Sequence, residues 1–488
     1  MNKKSLTLTL CGMAIVGSGN CSSSVAPIPS QESIKVSPIA GDWSGILDIG
    51  MMKMTLVLHI QQDPHGEFSA TVDTLEHKMN GTPIDWISFD GESLKFEMKA
   101  AFARFEGLLI NNASEISGQF IQAGQSFSLA FERGIRSVET PNRPQEPKLP
   151  YPYTEELVSY ENSGIGVTLS GTLTLPASES PSPAVVLIAS AGQCDRDEAV
   201  LGHKPFLVLA DYLTRHGIAV LRFDKRGCGK STGNYNKATS QDFANDVLAG
   251  VEYLKSRKEV NSNQIGLIGH SEGGIIAPMV ATKSQEVAFI VLMAGTGVNG
   301  EELLYAQDAL IKRSLGETED TIEQSRKFQE KLFALLKKEP DLEIAAGQFH
   351  EIAKNHMDIL QGNPGKVTLD GLEAQANCIN TEWFRYFLVY DPSTALKQVQ
   401  VPVLVLNGEL DLQVSPTQNL PVIAKALKEG ENKDFTIVEL PKLNHLFQTC
   451  QNGSIEEYAK IEETISPSAL NLIAKWILER TIREVITN

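Results

Sequence analysis

The chain has 488 residues, of which 42% are apolar and 21% are charged, and its formal net charge is −17. This length and composition indicate a globular protein with more than one domain and a large buried core. Nucleic acids and anionic membrane surfaces are bound by clustered positive charge, so the acidic balance argues against both as partners.

The first 24 residues have the pattern of a secretory signal. Lys3 and Lys4 precede an apolar stretch over residues 6–16, and Cys21 precedes three serines. The apolar stretch is too short to remain as a membrane-spanning helix. Cys21 resembles the lipidated cysteine of a bacterial lipoprotein. We therefore expect a protein exported from the bacterial cytoplasm, periplasmic or anchored to the membrane only through a lipid on Cys21.

Residues 38–137 contain short apolar runs that alternate with polar residues and are separated by Gly, Asn and Asp. Alternation with a period of two is typical of strands with one buried face, so this region predicts a small antiparallel β-domain. The clearest runs are residues 54–60, 68–72, 94–98 and 127–131. A proline-rich segment follows, and residues 138–152 are predicted as a linker.

Residues 153–488 alternate apolar strands with amphipathic helices, which is typical of a mostly parallel sheet covered on both faces. The predicted strands are residues 167–176, 184–190, 218–224, 264–270, 287–294, 401–407 and 435–440. Residues 300–397 predict a helical insertion, which we interpret as a lid. Within it, Trp383 and Phe384 either line a substrate pocket or dock the lid onto the core.

The strongest chemical signal is the pentapeptide GHSEG at residues 269–273, between a strand and an apolar helix. In a nucleophile elbow the serine occupies a strained strand-to-helix turn, and the glycines let neighbouring backbone pass closely. The same spacing recurs around Ser231, but turn-rich sequence follows it. We predict Ser271 as the nucleophile and Ser231 as a loop residue. The segment before Ser231 also ends like a phosphate-binding loop, but Asp224 stands where its first glycine belongs.

A serine hydroxyl needs a histidine as base, and the histidine needs a carboxylate that orients it and stabilises its charge. In sheets of this kind the chain order is serine, acid, histidine. Asp411 follows the strand at 401–407 and His445 follows the last strand, so we predict these two as acid and base. Glu409 is the main competitor for the acid and Asp391 a more distant one.

The negative charge that develops on the substrate oxygen requires preorganised hydrogen-bond donors. One predicted donor is the backbone N–H of Glu272, the residue after the nucleophile. The other should come from the loop after the strand at 184–190, where we predict Ala191, with Gly192 as the alternative.

The remaining histidines and cysteines carry no assigned chemistry. His270 is predicted as a packing residue, and His203, His350 and His356 lack metal-ligand spacing, so neither a metal nor another cofactor is predicted. Scattered cysteines in a large chain do not define a disulfide framework. No disulfide pairing is therefore assigned to Cys194, Cys228, Cys378 and Cys450.

Several segments together carry a family resemblance: residues 195–198, 224–231, 269–273, 408–414 and 443–447. They resemble the α/β-hydrolase superfamily, in particular exported bacterial carboxylesterases related to cinnamoyl-esterase-like and serine-aminopeptidase-like hydrolases. The resemblance covers residues 157–488, and residues 41–45 are similar to the start of domains appended to such enzymes. It implies an α/β-hydrolase fold. The loop at 189–194 departs from the Gly-Ser-Gly-Pro-Gln type of relatives, which leaves the second oxyanion donor open between Ala191 and Gly192.

Three functions are compatible with these residues: an ester hydrolase, an aminopeptidase-like peptidase with the same triad, and a non-catalytic binding protein. Peptidases of this fold often carry a β-propeller, which needs about 160 residues, and residues 38–137 are too few and show no repeat. A binding protein has no need for all three triad residues in order. We therefore predict hydrolysis of a small-molecule carboxylic ester through an acyl-enzyme intermediate.

Overall fold

The computed structural model describes residues 37–48, 53–75, 79–101, 103–122, 125–136, 142–359 and 369–481. The predicted signal at residues 1–24, with Cys21, and residues 137–141 lie outside the described residues. The chain divides into two compact units. The first contains the described residues up to 136 together with Gln348–Cys378, and the second contains residues 142–347 and those from Ile379 onward.

The first unit contains a nine-stranded antiparallel sheet, which confirms the predicted β-domain. Its strands are β1 (Gly41–Asp48), β2 (Lys53–Gln62), β3 (Phe68–Thr74), β4 (Met79–Pro83), β5 (Trp86–Phe89), β6 (Ser93–Met98), β7 (Ala103–Ile110), β8 (Glu115–Gln122) and β9 (Gln125–Arg133), with a 3-10 turn at Lys99–Ala101. Their order is β4-β3-β2-β1-β9-β8-β7-β6-β5. Alternate residues point inward, so the rings of Phe96, Phe105 and Phe131 pack together in the core.

The second unit contains an eight-stranded, mostly parallel sheet. Its strands are β10 (Thr154–Asn162), β11 (Val167–Leu175), β12 (Ser182–Ile188), β13 (Ala219–Phe223), β14 (Val260–His270), β15 (Val287–Met293), β16 (Val403–Gly408) and β17 (Phe435–Leu440), in the order β10-β11-β13-β12-β14-β15-β16-β17. Strand β11 pairs antiparallel with both β10 and β13, and the other described pairings of this sheet are parallel. Sequence analysis missed β10 because only Tyr160 is buried in this edge strand, which leaves no apolar run.

Helices cover both faces of this sheet, as predicted. They are α1 (Pro205–Arg215), α2 (Ser240–Lys255), α3 (Gly273–Ala281), α10 (Pro416–Glu429), α11 (Ile455–Tyr458) and α12 (Pro467–Thr481), with a 3-10 turn at Tyr235–Lys237. Apolar residues of α1 and α12 share one core cluster with β12, β14 and β15, whereas α2 and α3 pack against each other and on β14. The fold is therefore an α/β-hydrolase fold, as the sequence predicted.

The insertion between β15 and β16 is helical. It consists of α4 (Gly300–Ser314), α5 (Glu319–Lys338), α6 (Leu342–Ile359), α7 (Leu369–Cys378), α8 (Glu382–Val389) and α9 (Ser393–Leu396). The stretch Gln348–Cys378 groups with the first unit and the rest with the second. Sequence analysis predicted residues 300–397 as a helical insertion, and helical periodicity alone does not indicate which unit each helix packs on. No helix in the described ranges is long and apolar enough to cross a membrane.

The described part of the predicted linker belongs to the second unit. Arg143 donates hydrogen bonds to four backbone carbonyls of that unit, those of Leu201, Gly202, Ala459 and Ile461. Gln145 accepts the N–H groups of Thr464 and Ile465. Proline-rich composition predicts a lack of regular structure, but it does not predict whether polar side chains find partners.

Candidate active site

Ser271 occupies the turn between β14 and α3. Its φ of 53° is rare for a residue with a side chain and marks a strained backbone. The N–H of Ser271 donates to the carbonyl of Met293 at 2.8 Å, which holds the turn on β15. A Cβ at Gly269 would strike the backbone of Gly273, and one at Gly273 would strike the carbonyl of Ile188. Both glycines are therefore required by close backbone contacts.

Asp411 and His445 are hydrogen-bonded, with 2.8 Å between Oδ2 of Asp411 and Nδ1 of His445. The Asp411 side chain is fully buried, and its Oδ1 accepts the N–H groups of Gln413 and Val414, each at 2.8 Å. An ionised carboxylate can only accept hydrogen bonds, so the proton of this bond is assigned to Nδ1 of His445. The other ring nitrogen, Nε2, is then free to accept a hydrogen bond.

The sheet brings the three predicted triad residues to one edge. Ser271 follows β14, Asp411 follows β16 and His445 follows β17, and these strands are parallel, so their carboxyl ends lie on the same side. His270 precedes the serine, and its Nε2 lies 3.0 Å from the carbonyl oxygen of His445. Within the described residues no hydrogen bond joins Ser271 Oγ to the His445 ring, and in ligand-free sites this contact often tightens only on substrate binding.

The competing acids and the competing serine have other partners. Glu409 is exposed, and its carboxylate accepts the N–H of Lys442 at 2.9 Å. The carboxylate of Asp391 accepts from the N–H and the hydroxyl of Ser393, the first residue of α9. Ser231 lies in a loop, where it is buried and donates to the carbonyl of Asp224 at 2.7 Å. None of the three side chains is directed at the His445 ring.

The loop after β12 carries the candidate oxyanion donors. The N–H of Gly192 donates to the hydroxyl oxygen of Tyr235 at 3.0 Å. The N–H groups of Ala191 and Glu272, by contrast, have no intramolecular acceptor among the described residues. This difference favours Ala191 over Gly192. The carbonyl of Ser190, the residue before Ala191, accepts from Lys225 Nζ at 2.5 Å, which fixes the loop.

The Glu272 side chain forms a buried polar cluster beneath the elbow. Its Oε2 lies 2.9 Å from Lys225 Nζ, and its Oε1 accepts from Ser240 Oγ and Trp383 Nε1, each at 2.6 Å. Burial alone would lower the pKa of Lys225, but the Glu272 carboxylate outweighs it and the pKa is raised. Sequence analysis missed this cluster; the motif at 224–231 contains Lys225 but does not indicate its partner.

The other histidines and the cysteines lie in ordinary packing environments. His203 is buried, with its ring bonded to Thr464 Oγ1 and to the carbonyl of Tyr458, each at 2.9 Å. His350 is exposed and lies 2.7 Å from Glu373. The described ranges contain no cluster of side chains that could hold a metal ion. Among the described cysteines, Cys194 and Cys228 are buried, and Cys378 and Cys450 are partly exposed.

Comparisons with known proteins agree with this architecture. The family described as serine aminopeptidase, S33 matches residues 204–354, a stretch that includes Ser271 but neither Asp411 nor His445. Esterase EstD of Thermotoga maritima is 28% identical over 389 residues, which cover 76% of this chain and 84% of that protein. The bifunctional esterase/perhydrolase DCH of Acinetobacter calcoaceticus is 28% identical over 50% of this chain and 82% of its own.

Among solved structures, an esterase of Pyrococcus furiosus is similar over 70% of this chain and 99% of its own, with 15% identity and a TM-score of 0.41. The sheet order and helix placement are those of an α/β-hydrolase fold, and the similar proteins include esterases and the serine aminopeptidase family S33. The chain is an enzyme of the serine-hydrolase class.

Proposed function

We propose that this protein hydrolyses carboxylic esters of small molecules through a triad of Ser271, His445 and Asp411. The observation that carries the proposal is the 2.8 Å bond between Asp411 Oδ2 and His445 Nδ1, formed by a fully buried carboxylate at the same sheet edge as the elbow. This arrangement supplies the oriented base that a serine nucleophile needs.

In the proposed reaction, His445 Nε2 accepts the proton of Ser271 as Oγ attacks the ester carbonyl. The N–H groups of Ala191 and Glu272 stabilise the resulting oxyanion. His445 then gives the proton to the leaving alcohol, and an acyl group stays on Ser271. Water activated by His445 attacks the acyl-enzyme and releases the acid. Asp411 keeps the histidine in the productive tautomer throughout.

Aminopeptidase activity is the second candidate, because the S33 family match and a 29% identical proline iminopeptidase of Saccharolobus solfataricus point to it. An aminopeptidase must bind the α-ammonium group of its substrate, for which a carboxylate near the serine is suited. The two buried carboxylates beside the elbow are already engaged, Glu272 with Lys225 and Glu198 with His270. Neither is available for a substrate ammonium group, which favours the esterase.

The test is a side-by-side assay of aryl esters of increasing acyl length, cinnamoyl-type esters and aminoacyl anilides. We expect ester turnover that disappears in Ser271→Ala and persists in Ser231→Ala, with a loss on the order of 10⁴-fold or more for the first variant. Faster turnover of aminoacyl anilides than of any ester would reassign the function to the peptidase.

A further inference from the structure

A second carboxylate–imidazole pair, Glu198 with His270, lies beside the proposed triad. The two residues are only 3% and 4% exposed, and Glu198 Oε1 lies 3.0 Å from His270 Nδ1. The other ring nitrogen of His270, Nε2, lies 3.0 Å from the carbonyl oxygen of His445. His270 therefore bridges the loop after β12 and the loop after β17, while it is itself the residue before Ser271.

The neighbours of the His270 ring fix its protonation. A backbone carbonyl cannot donate a hydrogen bond, and an ionised carboxylate cannot either. Glu198 Oε1 also accepts the N–H of Ser190 at 2.7 Å, which favours the ionised carboxylate. Since both partners of the ring are acceptors, both ring nitrogens carry protons, and His270 is an imidazolium.

The electrostatics of the pair agree with this assignment. Burial would raise the pKa of Glu198, but the charge of His270 outweighs burial and the pKa is lowered. Burial would lower the pKa of His270, but Glu198 outweighs it, with further contributions from the His445 carbonyl and Asp411, and the pKa is raised. The His445 ring at 4.9 Å and the Phe447 ring at 6.3 Å, between centroids, complete the surroundings of His270.

We propose that Glu198 and His270 are positioning residues for the hydrolytic reaction. Their ion pair holds the loop after β12, which contains Ser190, and the loop after β17, which contains His445, in fixed positions around the elbow. This inference rests on the proposed function. Through the N–H of Ser190 the pair orients the loop that presents Ala191, and through the His445 carbonyl it orients the base. Neither side chain reaches the substrate, so both act only through these contacts.

The test uses His270→Gln and Glu198→Gln in the full chain. The amide of His270→Gln cannot donate in both directions, and Glu198→Gln leaves His270 without its counter-charge. We expect kcat to fall about 10- to 100-fold in each, with KM changed less than about threefold. The kcat of the double variant should be no lower than that of the less active single variant, because the two residues act as a unit.

His203→Gln is the matched control, since His203 is 1% exposed and its ring contacts neither Glu198 nor Ser190. We expect a lower melting temperature in His203→Gln with kcat and KM close to the wild-type values. If His270→Gln and Glu198→Gln behave like this control, the positioning role is wrong. A readout that does not depend on the variants is ¹⁵N NMR of the His270 ring in the wild-type protein. It should show two protonated nitrogens from about pH 6 to about pH 8, and a neutral tautomer would overturn the proposal.

Ser271→Ala separates the two proposals. If Ser271→Ala retains wild-type turnover, the proposed function fails, whatever the state of His270. If Ser271→Ala is inactive while Glu198→Gln and His270→Gln keep the wild-type kcat, only the positioning role fails.

Discussion

Asp411 and Glu409 lie on the same loop, yet their carboxylates have different partners. Asp411 is buried and bonded to His445, whereas Glu409 is exposed and bonded to the N–H of Lys442. The shorter side chain is thus the one that reaches the base. The chain order of acid and base was predictable, because each follows an apolar strand. The choice between Asp411 and Glu409 depended on side-chain length and loop shape.

We predict that Asp411→Asn lowers kcat about 10⁴-fold, because an amide favours the wrong tautomer of His445. Glu409→Gln should keep most of the activity and serves as the control two residues away. Steady-state kinetics on one aryl ester compares the two variants. The opposite ranking would move the acid to Glu409.

The buried pair of Lys225 and Glu272 gives a prediction about stability. In Lys225→Met the Glu272 carboxylate stays buried with its cation removed, so we expect a loss of about 3–5 kcal/mol in the free energy of unfolding. The exposed pair of Arg313 and Glu319 is the comparison, and Arg313→Met should change stability little. Urea unfolding measures both. Equal losses would show that burial does not decide the contribution of these pairs.

The side chain of Trp383 connects helix α8 to the elbow. Trp383 stacks on Phe387, with ring centroids 5.2 Å apart, and its Nε1 donates to Glu272 Oε1. Phe384 is buried and packs on Phe333 of α5, and its ring centroid lies 6.1 Å from that of Trp383. The two neighbouring rings therefore contact each other but have different further partners. Glu272 and Phe333 are distant from α8 in the chain, so no local pattern could assign these two contacts.

We predict different outcomes for the two aromatic positions. Trp383→Phe keeps the ring stack but removes the N–H, so the Glu272 cluster loosens and kcat should fall about 3- to 10-fold, the size of one lost hydrogen bond. Phe384→Ala should lower the melting temperature and leave the ranking of short and bulky esters unchanged, since packing is lost within the insertion. A changed ester ranking in Phe384→Ala would instead assign that ring to the substrate pocket.

At the scale of the whole molecule, period-two alternation of apolar and polar residues predicted the first sheet, and the alternation of strands with helices predicted the second. The predicted strands of the second sheet are those with apolar runs, whereas the exposed strand β10 left no such run. The contacts that connect the site could not be predicted. Glu198 and His270 are 72 positions apart, and Glu272 and Trp383 are 111 apart. Such contacts depend on how far side chains reach between loops, which periodicity does not encode.

Buried His203 predicts how stability depends on pH. Burial, followed by the charge of Arg143, lowers the pKa of His203 from 6.5 to about 4, although the Tyr458 carbonyl opposes this. Between these values the unfolded chain binds the proton that the folded protein excludes. The contribution of neutral His203 to the free energy of unfolding is therefore complete above about pH 6.5. It is lost as the pH falls towards 4, and the loss reaches about 3 kcal/mol. Denaturant titrations at a series of pH values give the free energies of unfolding of wild type and His203→Gln. The two values should converge as the pH falls over this range, and a constant difference between them would contradict the assignment.

The central claim is that Ser271 forms the acyl-enzyme, and covalent trapping tests it most directly. The protein is incubated with a fluorophosphonate, and the adduct is located by peptide mass spectrometry. A single adduct is expected on Ser271, because its strained turn lies at the sheet edge that also holds the hydrogen-bonded pair of Asp411 and His445. Ser231→Ala should still be labelled and Ser271→Ala should not. An adduct on Ser231, or no adduct in a preparation that hydrolyses esters, would contradict the account.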